Sequence, residues 1–173
     1  MSADQKNGDR SLDGPIDRRT SIGHVHLKVA DLERSVRFYT DVLGFEITAR
    51  MGKSAAFLSA GGYHHHIGLN TWESAGGSPP PQGSTGLYHF AILMPNRKEL
   101  ARTLARLIER KWDVEGASDH GVSESIYLHD PDRNGIEIYA DRPRDQWPRE
   151  PGGELIMYTG PLDVESLMRE INL

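Results

Sequence analysis

Two stretches of this chain are written to one plan. Ile22-Gly23-His24-Val25-His26 aligns with Leu87-Tyr88-His89-Phe90-Ala91, and in each copy a helix-capping residue, Asp31 or Asn96, falls seven positions after the histidine. A repeat of this kind constrains the fold before any single element is assigned, because two copies of one small unit bury their apolar faces against each other. In the first copy, alternation over 22–29 predicts a strand. Asp31 then caps a helix over 34–42, with Val36, Phe38, Tyr39, Val42 and Leu43 at helical spacing and Gly44 as its stop. Three strands follow at 45–51, 55–58 and 65–71, with Gly52 and Gly61-Gly62 as turns. The second copy predicts a strand at 87–94 and a helix at 97–111 whose Leu100, Leu104, Leu107 and Ile108 form a core stripe. Strands at 114–117, 125–129 and 136–140 complete it, the last two joined by the turn Asp130-Pro131-Asp132-Arg133-Asn134-Gly135.

The chain therefore reads as βαβββ twice, residues 21–72 and 86–140, in a single α+β domain over 21–147. The Gly- and Pro-rich segment 73–86 is a loop between the copies. A polar, charged arm over 1–20 is expected to be disordered. The tail 148–173 contains a short apolar stretch at 154–159 and an amphipathic, helical segment at 164–172. It is expected to pack over the core or a neighbouring subunit. With 173 residues and 37% hydrophobic content, the chain can build one ordinary core but not two large ones. A net charge of −5 argues against nucleic acid or an anionic membrane as partner. No apolar run approaches the roughly 20 residues of a membrane helix, and the first residues lack a secretory apolar core, so a cytoplasmic protein is expected. Cysteine is absent, which removes disulfides, thiolate metal sites and cysteine nucleophiles, while eight histidines remain.

Residues two apart on a strand share a face, so His24 and His89, at matching positions of the two copies, can converge on one concave surface. Phe57 matches Tyr127. Glu137 lies ten positions after Tyr127 and His66 nine after Phe57, so His66 and Glu137 read as near-equivalents across a one-residue difference in the turn. Glu137 stands in the apolar run Gly135-Ile136-Glu137-Ile138-Tyr139, where a carboxylate is costly unless it is paired or bound to metal. Two imidazoles and a carboxylate make the facial triad of non-haem Fe(II) sites. The plainer alternative stands beside it: one strand histidine is usually a hydrogen-bonded structural residue, and one strand glutamate usually faces solvent. Three donors at symmetry-consistent positions favour the metal.

The residues then carry a resemblance. Gly23-His24-Val25-His26-Leu27-Lys28-Val29-Ala30-Asp31-Leu32-Glu33-Arg34-Ser35, with Phe38-Tyr39 and Val42-Leu43-Gly44-Phe45, resembles the opening of the vicinal oxygen chelate superfamily of glyoxalases, bleomycin-resistance proteins and dioxygenases. Asp130-Pro131-Asp132-Arg133-Asn134-Gly135-Ile136-Glu137-Ile138 resembles its closing strand. The resemblance implies paired βαβββ modules forming a cupped mixed sheet around a divalent metal held by His24, His89 and Glu137. Within the superfamily the chain is most similar to type I extradiol dioxygenases of the catechol 2,3-dioxygenase kind. That similarity implies Fe(II), with Mn(II) as the alternative ion, a small aromatic diol and O2 as substrates, and a hydroxymuconic semialdehyde-type product. It also implies catalytic roles for His66, His120 and Tyr127.

Typical members of that branch are roughly twice as long, so oligomerisation is expected to supply part of the pocket wall. Two other readings remain open: a glyoxalase-like isomerase, lyase or metal-dependent thiol transferase, and a non-catalytic bleomycin-resistance-type binding protein. Weaker candidates are His26 and His64, which share the face or flank of stronger ones. His65 is expected on the opposite face from His66, His129 reads as a turn or rim residue, and Asn70 and Trp72 as pocket-shaping or packing residues.

Overall fold

The computed structural model describes residues 14–172. The first module comprises β1 (Val25–Lys28), α1 (Leu32–Arg37), β2 (Glu46–Met51), β3 (Ala55–Ser59) and β4 (Ile67–Asn70). The second comprises β5 (Phe90–Leu93), α2 (Arg97–Glu109), β6 (Gly116–Asp119), β7 (Ser123–His129) and β8 (Gly135–Asp141). A two-residue strand, β9 (Gly160–Pro161), and the helix α3 (Val164–Arg169) follow. The sheets run β1-β4-β3-β2 and β5-β8-β7-β6-β9, so β1 and β5 are both edge strands. The arm expected over 1–20 lies, up to residue 13, outside the described residues. From residue 14 onward it includes a turn in which the amide of Thr20 donates to the carbonyl of Asp17 at 2.9 Å.

Local chemistry explains both helix starts. The Asp31 carboxylate accepts from the amide of Arg34, and the Asn96 side chain accepts from that of Glu99, each satisfying a donor that the first turn leaves open. The first helix does not stay regular to its end. Phe38–Val42 continue it as a wider turn, and Gly44, at φ +89°, closes it in a conformation that a side chain resists.

On α2, Leu100, Ala101, Leu104 and Leu107 are buried, each leucine stabilising by about 1.5–3 kcal/mol. Ile108, expected in the core stripe, is instead 58% exposed. The helix ends one residue later, and the flank covered at Ala101 is open there. One apolar cluster runs through both modules, from Leu27, Val36 and Tyr39 to Leu104, Ile126 and Ile138.

The modules are also tied by hydrogen bonds. The Asp132 carboxylate, in the turn between β7 and β8, accepts from the amide of Ala30 and from Arg34 at one oxygen, and from the Ser35 hydroxyl at the other. The Asp130 carboxylate accepts from the buried Tyr39 hydroxyl at 3.0 Å and from the amides of Asp132 and Asn134. The tail, expected over the core, does fold back on the second module: Leu167 of α3 is fully buried, and β9 pairs with β6.

Five strands begin later than the alternation predicts, and in three of them the shift moves histidines. β1 starts at Val25, β5 at Phe90 and β4 at Ile67, so His24, His89, His65 and His66 stand just before their strands rather than within them. Ile22 is 95% and Tyr88 90% exposed, and neither belongs to a strand pair.

Candidate metal centre

Register decides which residues correspond between modules. His26 lies opposite Gly68 on β1 and β4, and Ala91 opposite Glu137 on β5 and β8. Phe57 lies opposite Gly68, and Tyr127 opposite Glu137. The counterpart of Glu137 is therefore Gly68, and the near-equivalence of His66 with Glu137 fails by two positions. The turn before β4 absorbs those residues. At Gly68 a side chain has no room, because a Cβ there would stand 2.9 Å from Cγ of the His26 ring.

The second module gathers four side chains into a chain of contacts. His89 Nε2 and Glu137 Oε2 are 3.0 Å apart, and the Tyr127 hydroxyl donates to Glu137 Oε1 at 2.9 Å. The same hydroxyl lies 2.6 Å from His120 Nε2. Strand pairing builds this order. Tyr127 and Glu137 are direct partners across β7 and β8, and His120 follows β6, the neighbour of β7. The Glu137 side chain is 14% exposed, so the carboxylate sits among its partners rather than in bulk water. Burial, with the Glu137 hydrogen bond next, raises the Tyr127 phenol to about 12, so near neutral pH it holds its proton and can donate.

The first module holds a separate histidine group. The His24 ring stacks on His65, centroids 4.3 Å apart, and His26 packs edge-on against Phe57 and beside Trp72. His65 thus joins the His24 face, not the face away from the site, because regular pairing of β4 begins only at Ile67. No spacing signal could have found this, since it depends on where pairing stops. His64 Nδ1 lies 2.7 Å from that of His65. Burial, reinforced by His24, keeps the pKa values of both His26 and His65 below the ordinary imidazole value. His66 Nδ1 accepts from the amide of Ala60 at 3.3 Å and lies 3.0 Å from the Ser59 hydroxyl. Its neutral ring therefore carries the proton on Nε2. Asn70 is buried and accepts from the amide of Trp72. His129 has a structural setting, 2.6 Å from the Glu115 carboxylate at the end of β7.

The donors themselves test whether an ion fits. Two ligands at right angles on one ion, each about 2.1 Å from it, stand about 3.0 Å apart, which is the His89–Glu137 separation. His24 is not among their contacts. Among the described residues no group of three or more His, Cys, Asp or Glu side chains is gathered to hold a metal. One chain brings two of the three expected donors together and leaves the third on the other sheet.

A duplicated βαβββ fold that gathers an acid, a phenol and two imidazoles along one sheet defines a class of proteins rather than one activity. The chain belongs to the Glyoxalase/Bleomycin resistance protein/Dioxygenase superfamily, whose family model matches residues 21–138. It is similar to the catechol-2,3-dioxygenase of Bacillus subtilis (strain 168), at 46% identity over 90% of this chain and 53% of that protein, so it spans about half the length of that relative. It is also similar to the metallothiol transferase FosB of Staphylococcus epidermidis, at 26% identity over 73% of this chain and 86% of that one. Among solved structures, a glyoxalase/dioxygenase from Nostoc punctiforme superposes with a TM-score of 0.63 at 22% identity, covering 77% of this chain and 98% of that one. That likeness shows the shared fold. Among the described residues no helix is long and apolar enough to cross a membrane.

Proposed function

We propose that this chain is an extradiol dioxygenase, Fe(II)-dependent with Mn(II) as the alternative ion, that cleaves a catechol-like diol with O2 to a hydroxymuconic semialdehyde-type product. The observation that carries the reading is the unbroken contact chain His89–Glu137–Tyr127–His120. A thiol transferase or isomerase has no evident use for the last two members. Similarity to a catechol-2,3-dioxygenase over nine-tenths of the chain supports it further.

His89 and Glu137 would hold the ion, with His24 as the third donor. When bound, the metal supplies a Lewis-acid, one-electron centre at which both substrates meet. Tyr127, protonated near neutral pH, acts as a hydrogen-bond donor to a diol oxygen. His120 Nε2, beside it, is placed to accept the proton that the diol gives up. His66, with Nε2–H free of the Nδ1 contacts, is a donor and proton carrier on the His24 side.

The two groups of side chains belong to separate sheets in which β1 and β5 are edge strands, each paired on one side only. Ile22, Leu87, Tyr88 and Leu93, beside or on those edges, are all more than half exposed. We read this as a site completed between copies in a homo-oligomer, in which one copy brings His24 and His66 to the His89, Glu137, Tyr127 and His120 of another.

The test is anaerobic Fe(II) loading of the full chain, then addition of a panel of catechols in air. Oxygen uptake with a yellow, pH-sensitive product is expected. No uptake across the panel, or turnover with Zn(II), Ni(II) or Mn(II) that needs no oxygen, sinks the dioxygenase reading and favours the transferase or isomerase. A second expected result concerns Gly135, whose Cβ would stand 2.2 Å from the Tyr88 carbonyl oxygen and 3.1 Å from His89 Cβ. Gly135→Ala must displace the segment carrying His89, and metal affinity is expected to fall about tenfold in a chelator-competition titration.

A further inference from the structure

His120 is held on its far side by the chain's own tail. Its Nδ1 lies 2.8 Å from the main-chain carbonyl oxygen of Tyr158, and the amide of Tyr158 returns a longer bond to the His120 carbonyl. β9 continues this contact, pairing Gly160 with Asp119 beside the histidine. The segment is wedged in place. A Cβ on Gly121, which sits at φ +78°, would come 2.6 Å from the Tyr158 ring and 3.0 Å from Pro148, so ring and proline rest on the bare backbone next to His120.

A carbonyl oxygen only accepts, so the ring nitrogen facing it must carry a hydrogen. Thr159 Oγ1, 3.4 Å from the same nitrogen, is free to accept as well. The tautomer with hydrogen on Nε2 would set a bare Nδ1 lone pair against the Tyr158 oxygen. With hydrogen on Nδ1, the Nε2 lone pair points to the Tyr127 hydroxyl at 2.6 Å and competes with Glu137 Oε1, at 2.9 Å, for that phenol's single hydrogen.

We propose that the tail segment 148–161 is a positioning element of the site, which, through the Tyr158 carbonyl, holds His120 in the Nδ1–H tautomer and turns Nε2 toward Tyr127 as an acceptor. This rests on the dioxygenase reading for its catalytic consequence but not for its structural one. A histidine in the other tautomer would offer a hydrogen where the diol proton has to go. The tail thus acts through His120 and touches no substrate itself.

The test begins with metal-free full-length protein at about pH 8.5, two units above an ordinary histidine midpoint. Nitrogen-15 imidazole spectra should show His120 with hydrogen on Nδ1 and bare Nε2. Hydrogen on Nε2 in the parent protein overturns the proposal, whatever the enzyme's activity proves to be. In Tyr158→Gly, which removes the ring wedged on Gly121, the Nδ1–H population should drop, and kcat of the Fe(II)-loaded protein should fall about tenfold with iron content unchanged. Tyr158→Phe keeps the wedge and should match the parent in both readouts. A Tyr158→Gly protein with parental tautomer and parental kcat also overturns the proposal. A parent with Nδ1–H on His120 but no oxygen uptake upholds the positioning and refutes the dioxygenase reading alone.

Discussion

An equal mixture of co-expressed His24→Ala and Glu137→Ala chains is expected to recover about a quarter of the parental oxygen uptake, although each variant alone should lose at least about a hundredfold. The arithmetic follows from a site shared between two copies. Random pairing makes half of the dimers mixed. In each mixed dimer one site joins an intact His24 to an intact His89–Glu137 pair, and the other site has lost both donors. Glu137→Ala alone should also lose bound iron, because it removes one of the two donors that already stand 3.0 Å apart. The His24→Ala change removes a residue whose recorded ring contact is with His65. Its effect on iron therefore measures whether a second copy delivers that ring to the ion. A mixture no more active than its components would place all three donors in one chain and end the shared-site reading.

The second large effect concerns stability. Asp130 is 2% exposed, and its carboxylate accepts from the Tyr39 hydroxyl, the amides of Asp132 and Asn134, and the Asn134 side-chain amide. Asp130→Ala leaves the fully buried Tyr39 hydroxyl without its acceptor and undoes the turn that presents Asp132 to α1. A loss of about 3–5 kcal/mol is expected, since removing one member of a buried polar network leaves its partners desolvated and unpaired. For a chain of this size that lowers the melting temperature by on the order of 10 °C. Tyr39→Phe, which removes one donor and keeps the carboxylate's other bonds, is expected to cost about 1–2 kcal/mol. Thermal unfolding followed by circular dichroism checks both. Equal losses for the two variants would mean that the turn does not depend on Asp130.

What could be read from residues alone was the periodic part. The duplicated order, the caps at Asp31 and Asn96, and the turn at 130–135 all rest on local chemistry, and local chemistry is written in neighbouring residues. The His89–Glu137 contact joins two of the three donors that the repeat put on one surface, though His89 stands just before its strand. Strand starts were not legible, since they depend on where a partner strand stops, and that shifted His65 onto the His24 face. The match of Glu137 to Gly68 rather than His66 needed the register of two ladders. The turn at 130–135 gave no sign that its aspartates fasten the two modules together. Nor did any motif reveal that a main-chain oxygen of the tail reaches His120, because a carbonyl has no residue identity.

Gly68 has one more consequence. Repetition would give each half of the molecule the same inventory, yet only the later half bears an acid at this point, and in the earlier half the His26 ring fills the space. Any cavity composed of one earlier and one later half is therefore unsymmetrical, with a carboxylate at this point on one wall only. Under the dioxygenase reading proposed above, a flat diol would meet unlike neighbours at its two oxygens there and be sorted by orientation before anything reacts.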